Sequence, residues 1–131
     1  MSWFHLVFGF IVFIVFAVTG SYMRADFPDK EIIPPELRLL MRSRHIYILF
    51  SALIHVMLGL YMQITLLKWR MAMQYFGSLV LIVSSGVLLW GFIVETYQLG
   101  HFSDISRWGI YTSLGGVAFH VIGGLGQNRV Q

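Results

Sequence analysis

Apolar residues fill four long runs of this chain, each interrupted by few polar positions and separated from the next by a shorter polar stretch. The first runs from Trp3 to Met23 and is apolar apart from His5, Thr19, Ser21 and Tyr22. The second, Ile46 to Leu67, holds no formally charged residue, the third runs from Met71 to Val94 and stops at Glu95, and the fourth extends from Arg107 to Leu125. Wound as helices at about 1.5 Å per residue, these runs match a hydrocarbon core of roughly 30 Å. The pattern predicts an all-α integral membrane protein, an up-down-up-down four-helix bundle that forms one domain over 1–131. Its spans fall at about 3–23, 46–67, 71–94 and 107–125.

The stretch from Arg24 to Arg44 is the one sizeable polar segment and carries four of the six acids and five of the nine basic residues. Phe27-Pro28 and Pro34-Pro35 interrupt any helix there. From Pro35 a helix restarts, with proline in its first turn and Glu36 near the positive end of the dipole. Leu37, Leu40 and Met41 share one face of it, which reads as a short interfacial helix before the second span. Arg38, Arg42 and Arg44 are placed to hold lipid headgroups or to serve as a plain topogenic flank. Lys68-Trp69-Arg70 reads as a tight connection and Thr96 to Ser106 as a loop with His101 and Asp104; these two and the adjoining Glu95 are solvated loop groups or form a surface metal site or a proton entry.

Small residues recur on one face of each span. His55, in the middle of the second run, has Ser51, Ala52 and Gly59 on its own face, and Gly9 and Gly20 share a face with His5. Gly77, Ser84, Gly91 and Glu95 lie along one line of the third helix, as do Gly109, Ser113, Gly116, His120 and Gly123 on the fourth. Such stripes let helices approach closely in lipid, where packing rather than water drives association.

Composition narrows the class further. Of 131 residues 57% are hydrophobic and 11% charged, and the mean hydropathy is +0.74. The net charge of +3 does not read as a nucleic-acid signal, because the basic residues border apolar runs and make no dense patch. The absence of cysteine excludes disulfides, thiolate ligands and a cysteine nucleophile. More basic residues border the first and third connections than the opposite face, which by the positive-inside rule puts both termini on the non-cytoplasmic side. All six acids share that loop-rich face.

An intramembrane imidazole is the candidate chemistry. Counted from the loop-rich face, His55 and His120 fall at similar depths on the second and fourth helices, and His5 near the far surface. Two neutral imidazoles at one level can ligate haem iron axially. That arrangement resembles the cytochrome b style of bundle, whose haem histidines lie on the second and fourth helices and whose other two helices carry glycines. It implies a b-type haem passing electrons to or from a membrane quinone or a partner subunit. The alternatives are a non-catalytic accessory or assembly subunit, with each histidine hydrogen-bonded to a serine or carbonyl of the next helix, and a proton or metal-ion transporter. Met62, Met71 and Met73 with His5 form a further candidate metal set of thioether and imidazole ligands suited to Cu(I). Small size favours a homo-oligomer or a place in a larger membrane complex. The segment PPELRLLMRSRHIYILFSAL, Pro34 to Leu53, resembles small four-span inner-membrane proteins of Gram-negative bacteria, which implies a bacterial inner membrane and no particular activity.

Overall fold

A computed structural model describes residues 1–26, 33–95 and 104–125. The described residues form four helices, α1 (Ser2–Asp26), α2 (Pro35–Tyr61), α3 (Lys68–Glu95) and α4 (Asp104–Gly124). Three of them, α1 to α3, are long and apolar enough to cross a membrane. The fourth is shorter, at 21 residues, and rich in glycine.

Polarity is distributed inside out relative to a water-soluble bundle. The outward positions are apolar, among them Phe10 and Ile14 on α1, Leu53 and Met57 on α2, Leu79 and Val83 on α3, and Leu114 and Val121 on α4. Inside lie His5, Arg44, Ser51, His55, Ser78, Ser84, Ser85, Glu95, Ser113 and His120. Turning polar groups inward is the arrangement expected of a chain whose surroundings offer them no hydrogen-bond partner.

Close approach at small residues sets how the helices pair. In the antiparallel pair α1–α2, a Cβ on Gly59 would sit 2.6 Å from the backbone of Leu6, and one on Gly9 would sit 2.8 Å from the backbone nitrogen of Val56. Gly77 and Gly116 face each other across the antiparallel pair α3–α4, while Gly109 receives Leu88, Gly91 receives Ser106 and Gly123 receives Gln74. Gly20 accommodates the ring of His45. Those two hairpins then meet along α2 and α3. Val12, Ile48, Ala52 and Phe92 make the apolar core there.

Several helix boundaries differ from the pattern in the sequence. The interfacial helix and the second span are one continuous helix, since no residue between Met41 and Ile46 interrupts a helical backbone. That helix ends at Tyr61 rather than Leu67, and Met62 is already extended. Gln74 holds the following turn: its Oε1 accepts from Thr65 N at 3.1 Å and its Nε2 donates to Gln63 O at 3.0 Å. Lys68, Trp69 and Arg70 consequently open α3 instead of forming the connection.

Candidate functional site

His5, His55 and His120 come together between the two hairpins, with relative exposures of 0%, 0% and 7%. His5 stands in the fourth position of α1 and is buried beside His55, because the contact of Gly59 with Leu6 sets the first residues of α1 beside the last turns of α2. Its Nδ1 lies 2.7 Å from His55 Nδ1 and its Nε2 2.8 Å from Ser78 Oγ. Ser78 Oγ is also 3.1 Å from His120 Nε2, and His55 Nε2 is 3.0 Å from Ser85 Oγ. Ser51 Oγ completes the series at 2.6 Å from Ser85 Oγ. The line runs Ser51, Ser85, His55, His5, Ser78, His120 and draws on all four helices.

Each serine in the middle of this line has the same surroundings. Ser78 Oγ can donate to Gln74 O at 2.9 Å and Ser85 Oγ to Leu81 O at 2.8 Å, both the carbonyl one turn back. A hydroxyl has one hydrogen, and a neutral imidazole has one N–H and one bare nitrogen. If both serines donate to their carbonyls, both histidines must donate from Nε2. Their two Nδ1 atoms would then face each other with lone pairs only. A contact as short as 2.7 Å requires a proton between them.

Three proton arrangements resolve this. In the first, Ser78 turns its hydrogen to His5 Nε2, and His5 Nδ1–H donates to His55 Nδ1. In the second, Ser85 turns its hydrogen to His55 Nε2, and His55 Nδ1–H donates to His5 Nδ1. Each neutral arrangement gives up one serine–carbonyl bond, and between the two every hydrogen bond from Ser78 to Ser85 reverses direction. In the third, an added proton sits between the Nδ1 atoms and both serines keep their carbonyls. That state carries a buried charge, whose desolvation costs several kcal/mol, so the charge is transient rather than resident.

Larger cations fit this contact poorly. Two imidazole nitrogens on one tetrahedral zinc ion, each at about 2.0 Å from the metal, stand roughly 3.3 Å from each other. The two Nδ1 atoms here are closer, at 2.7 Å. Among the described residues no group of three or more His, Cys, Asp or Glu is arranged to hold a metal ion. Axial ligation of haem by His55 and His120 needs a bare nitrogen on each ring. Among the described residues His120 Nδ1 is buried without a partner, whereas both nitrogens of His55 are engaged by His5 and Ser85. Met62, Met71 and Met73 are half-buried, and both ring nitrogens of His5 go elsewhere.

A second polar cluster closes the opposite end. Glu95, 5% exposed, is not a solvated loop group. Its Oε1 accepts from Ile105 N at 2.8 Å, and its Oε2 accepts from Ser106 Oγ at 2.6 Å and Ser106 N at 3.3 Å. It thus caps the N-terminus of α4 from the end of α3, where a negative charge meets the positive end of the helix dipole. Arg44 turns inward to it, 1% exposed, with Nε 3.6 Å from Glu95 Oε2 and Nη1 donating to Glu95 O. Arg38 is half-buried and Arg42 exposed. Arg70 donates to Leu125 O and so caps the other end of α4. Asp104 pairs with Arg107 at 2.8 Å, and His101 lies outside the described residues.

Between the two clusters the interior is apolar. From Ser85 to Glu95 the axis of α3 advances about 15 Å, and Ile48, Leu88, Phe92 and Val12 fill the space beside it. The histidine network therefore sits in the half of the bundle that holds the N-terminus and the 62–67 connection. Ser84 and Ser113, 2.8 Å apart, form a separate pair.

No protein-family model, curated protein or solved structure matches this chain. Ser78 and His45 are the members that periodicity alone passes over. Ser78 is seven residues before Ser85, a heptad that repeats the serine on one face of α3. His45 stacks on Phe16 with centroids 4.1 Å apart and donates from Nε2 to Phe16 O at 2.9 Å, an isolated anchor of α2 on α1.

Proposed function

We propose that this chain is a small polytopic membrane subunit that takes up protons into its histidine–serine line and hands them on to a partner. One observation carries the proposal: the 2.7 Å contact between His5 Nδ1 and His55 Nδ1, which in the neutral network has no proton as long as both flanking serines keep their carbonyl bonds. A line with two neutral polarities and an intermediate that accepts one proton meets the requirements of a proton relay. Adhesion between helices is a weaker reason for such a network, since interhelical hydrogen bonds in membranes average about 0.6 kcal/mol each. His120 Nδ1, buried and without a hydrogen-bond partner among the described residues, is the acceptor at one end whenever Nε2 of that ring donates to Ser78.

In this reading all four helices cross the bilayer of a bacterial inner membrane in up-down-up-down order, with both termini on the non-cytoplasmic side. The apolar layer of Ile48, Leu88 and Phe92 keeps the line from crossing the membrane alone, so the chain works with a second copy or within a larger complex. Haem held by His55 and His120 is the competing cofactor reading, and it requires either His5 or Ser85 to leave His55. Sharp reduced α and Soret bands at near-stoichiometric haem, in protein expressed with haem supplied, would replace the proton reading.

Exchange of the ring protons tests the relay. In detergent-solubilised protein labelled with ¹⁵N-histidine, the N–H protons of His5 and His55 should exchange with deuterated solvent much faster than the amides of Ile48 and Leu88. His120→Phe or Ser78→Ala should slow that exchange on the order of tenfold or more, since exchange then waits for local opening of the packed helices. Ring protons that exchange no faster than those amides in the wild type, or at unchanged rates in both variants, would sink the proposal.

A further inference from the structure

Away from the histidines, a cavity of about 190 Å³ opens between the last turn of α1 and the first turns of α2. Arg24 reaches it from α1 and Arg38 and Arg42 from α2, over a floor of Gly20, Met23 and Met41. We propose that it holds the phosphate of an anionic phospholipid, whose acyl chains continue along the apolar outer face of α1.

Several features support this occupant. The volume falls below the roughly 300–1,000 Å³ of pockets that enclose drug-sized ligands, which suits a small headgroup better than a porphyrin. Arg24, Arg38 and Arg42 all line one space, and guanidinium forks match phosphate oxygens in paired hydrogen bonds. Asp26 and Glu36, the described acids beside the cavity in sequence, make no ion pair with Arg24 or Arg42 among the described residues. The floor is apolar, with Met41 only 2% exposed, which favours an amphiphile over a fully hydrated ion. The site lies where the apolar stretch of α1 gives way to charge, with Val18 61% exposed one and a half turns before Arg24. That is the level at which headgroups stand.

The test uses the full chain purified in mild detergent, with lipid binding followed by native mass spectrometry. Phosphatidylglycerol should bind in preference to phosphatidylcholine, whose choline would meet the arginines with like charge. Juxtamembrane basic residues contribute about fivefold each to the binding of anionic lipid, so Arg24→Gln with Arg42→Gln should weaken phosphatidylglycerol binding roughly thirtyfold. Arg107→Gln, at an exposed arginine paired with Asp104, should leave it unchanged and serves as the control for charge alone. Equal binding of the two lipids, or a double variant that binds like the wild type, would overturn the proposal. Displacement of phosphatidylglycerol by millimolar inorganic phosphate would overturn the lipid source and assign the site to free phosphate.

Discussion

Glu95→Ala is expected to lower the unfolding free energy by about 3–5 kcal/mol, the range for removing one partner of a buried ion pair. The carboxylate does two things at once. It compensates Arg44, whose guanidinium has nowhere to reach water at 1% exposure, and it receives Ile105 N, Ser106 N and Ser106 Oγ at the start of α4. Alanine leaves a buried cation and three donors without their acceptor. Arg44→Met combined with Glu95→Gln should recover much of the loss, because both desolvation penalties leave with the charges and the amide oxygen can still accept from α4. Reversible unfolding in mixed micelles, followed by far-ultraviolet circular dichroism, measures both. A loss below about 1 kcal/mol for Glu95→Ala, typical of an exposed pair, would show that this pair does not join α2 to α3 and α4.

Gly59→Leu should couple a packing defect to the histidine line. Even a Cβ there would stand 2.6 Å from Leu6 Cα, which is backbone and has no rotamer to give. Overpacking of this kind costs typically about 1–3 kcal/mol. The relief is a displacement of α1 as a unit, which carries His5, next to Leu6 in sequence, away from His55, one turn before Gly59. Loss of stability and loss of the His5–His55 hydrogen bond should therefore appear together. Gly86→Ala is the matching control: a Cβ there meets nothing within 4 Å, and alanine in a helix is favoured by up to about 1 kcal/mol. An intact His5–His55 contact in Gly59→Leu would mean that α1 and α2 are not locked at that point.

The helical class and the inward faces of the third and fourth helices were legible from residue spacing, because small and polar residues at heptad intervals mark one side of a helix. His55 and His120 stood out for the same reason. The depth of His5 did not. Taking the second run to Leu67 adds six residues to α2, and six residues at about 1.5 Å each shift everything paired with it by about 9 Å. The hydrogen bonds of Gln74 to the 62–67 connection fix the true end, and they come from a side chain in the next helix. The burial of Arg44 had a local signal, since Arg44, Ile48, Ser51 and His55 follow one another at helical spacing on a single face. Glu95 likewise continues the line of Ser84 and Gly91. Neither position reveals that its partner is 51 residues away. The proton count at His5 and His55 depends on three-dimensional distances and has no counterpart in the sequence.

The most direct measurement is the protonation of the four ring nitrogens of His5 and His55, read from ¹⁵N-histidine spectra of the full chain in nanodiscs and assigned with His5→Ala and His55→Ala. A proton shared between the two Nδ1 atoms, with at least one of the rings carrying its hydrogen on Nδ1 and a coupling across the hydrogen bond, is the result required by the 2.7 Å contact. Two rings protonated only on Nε2, with both Nδ1 atoms bare, would contradict the contact and the relay built on it.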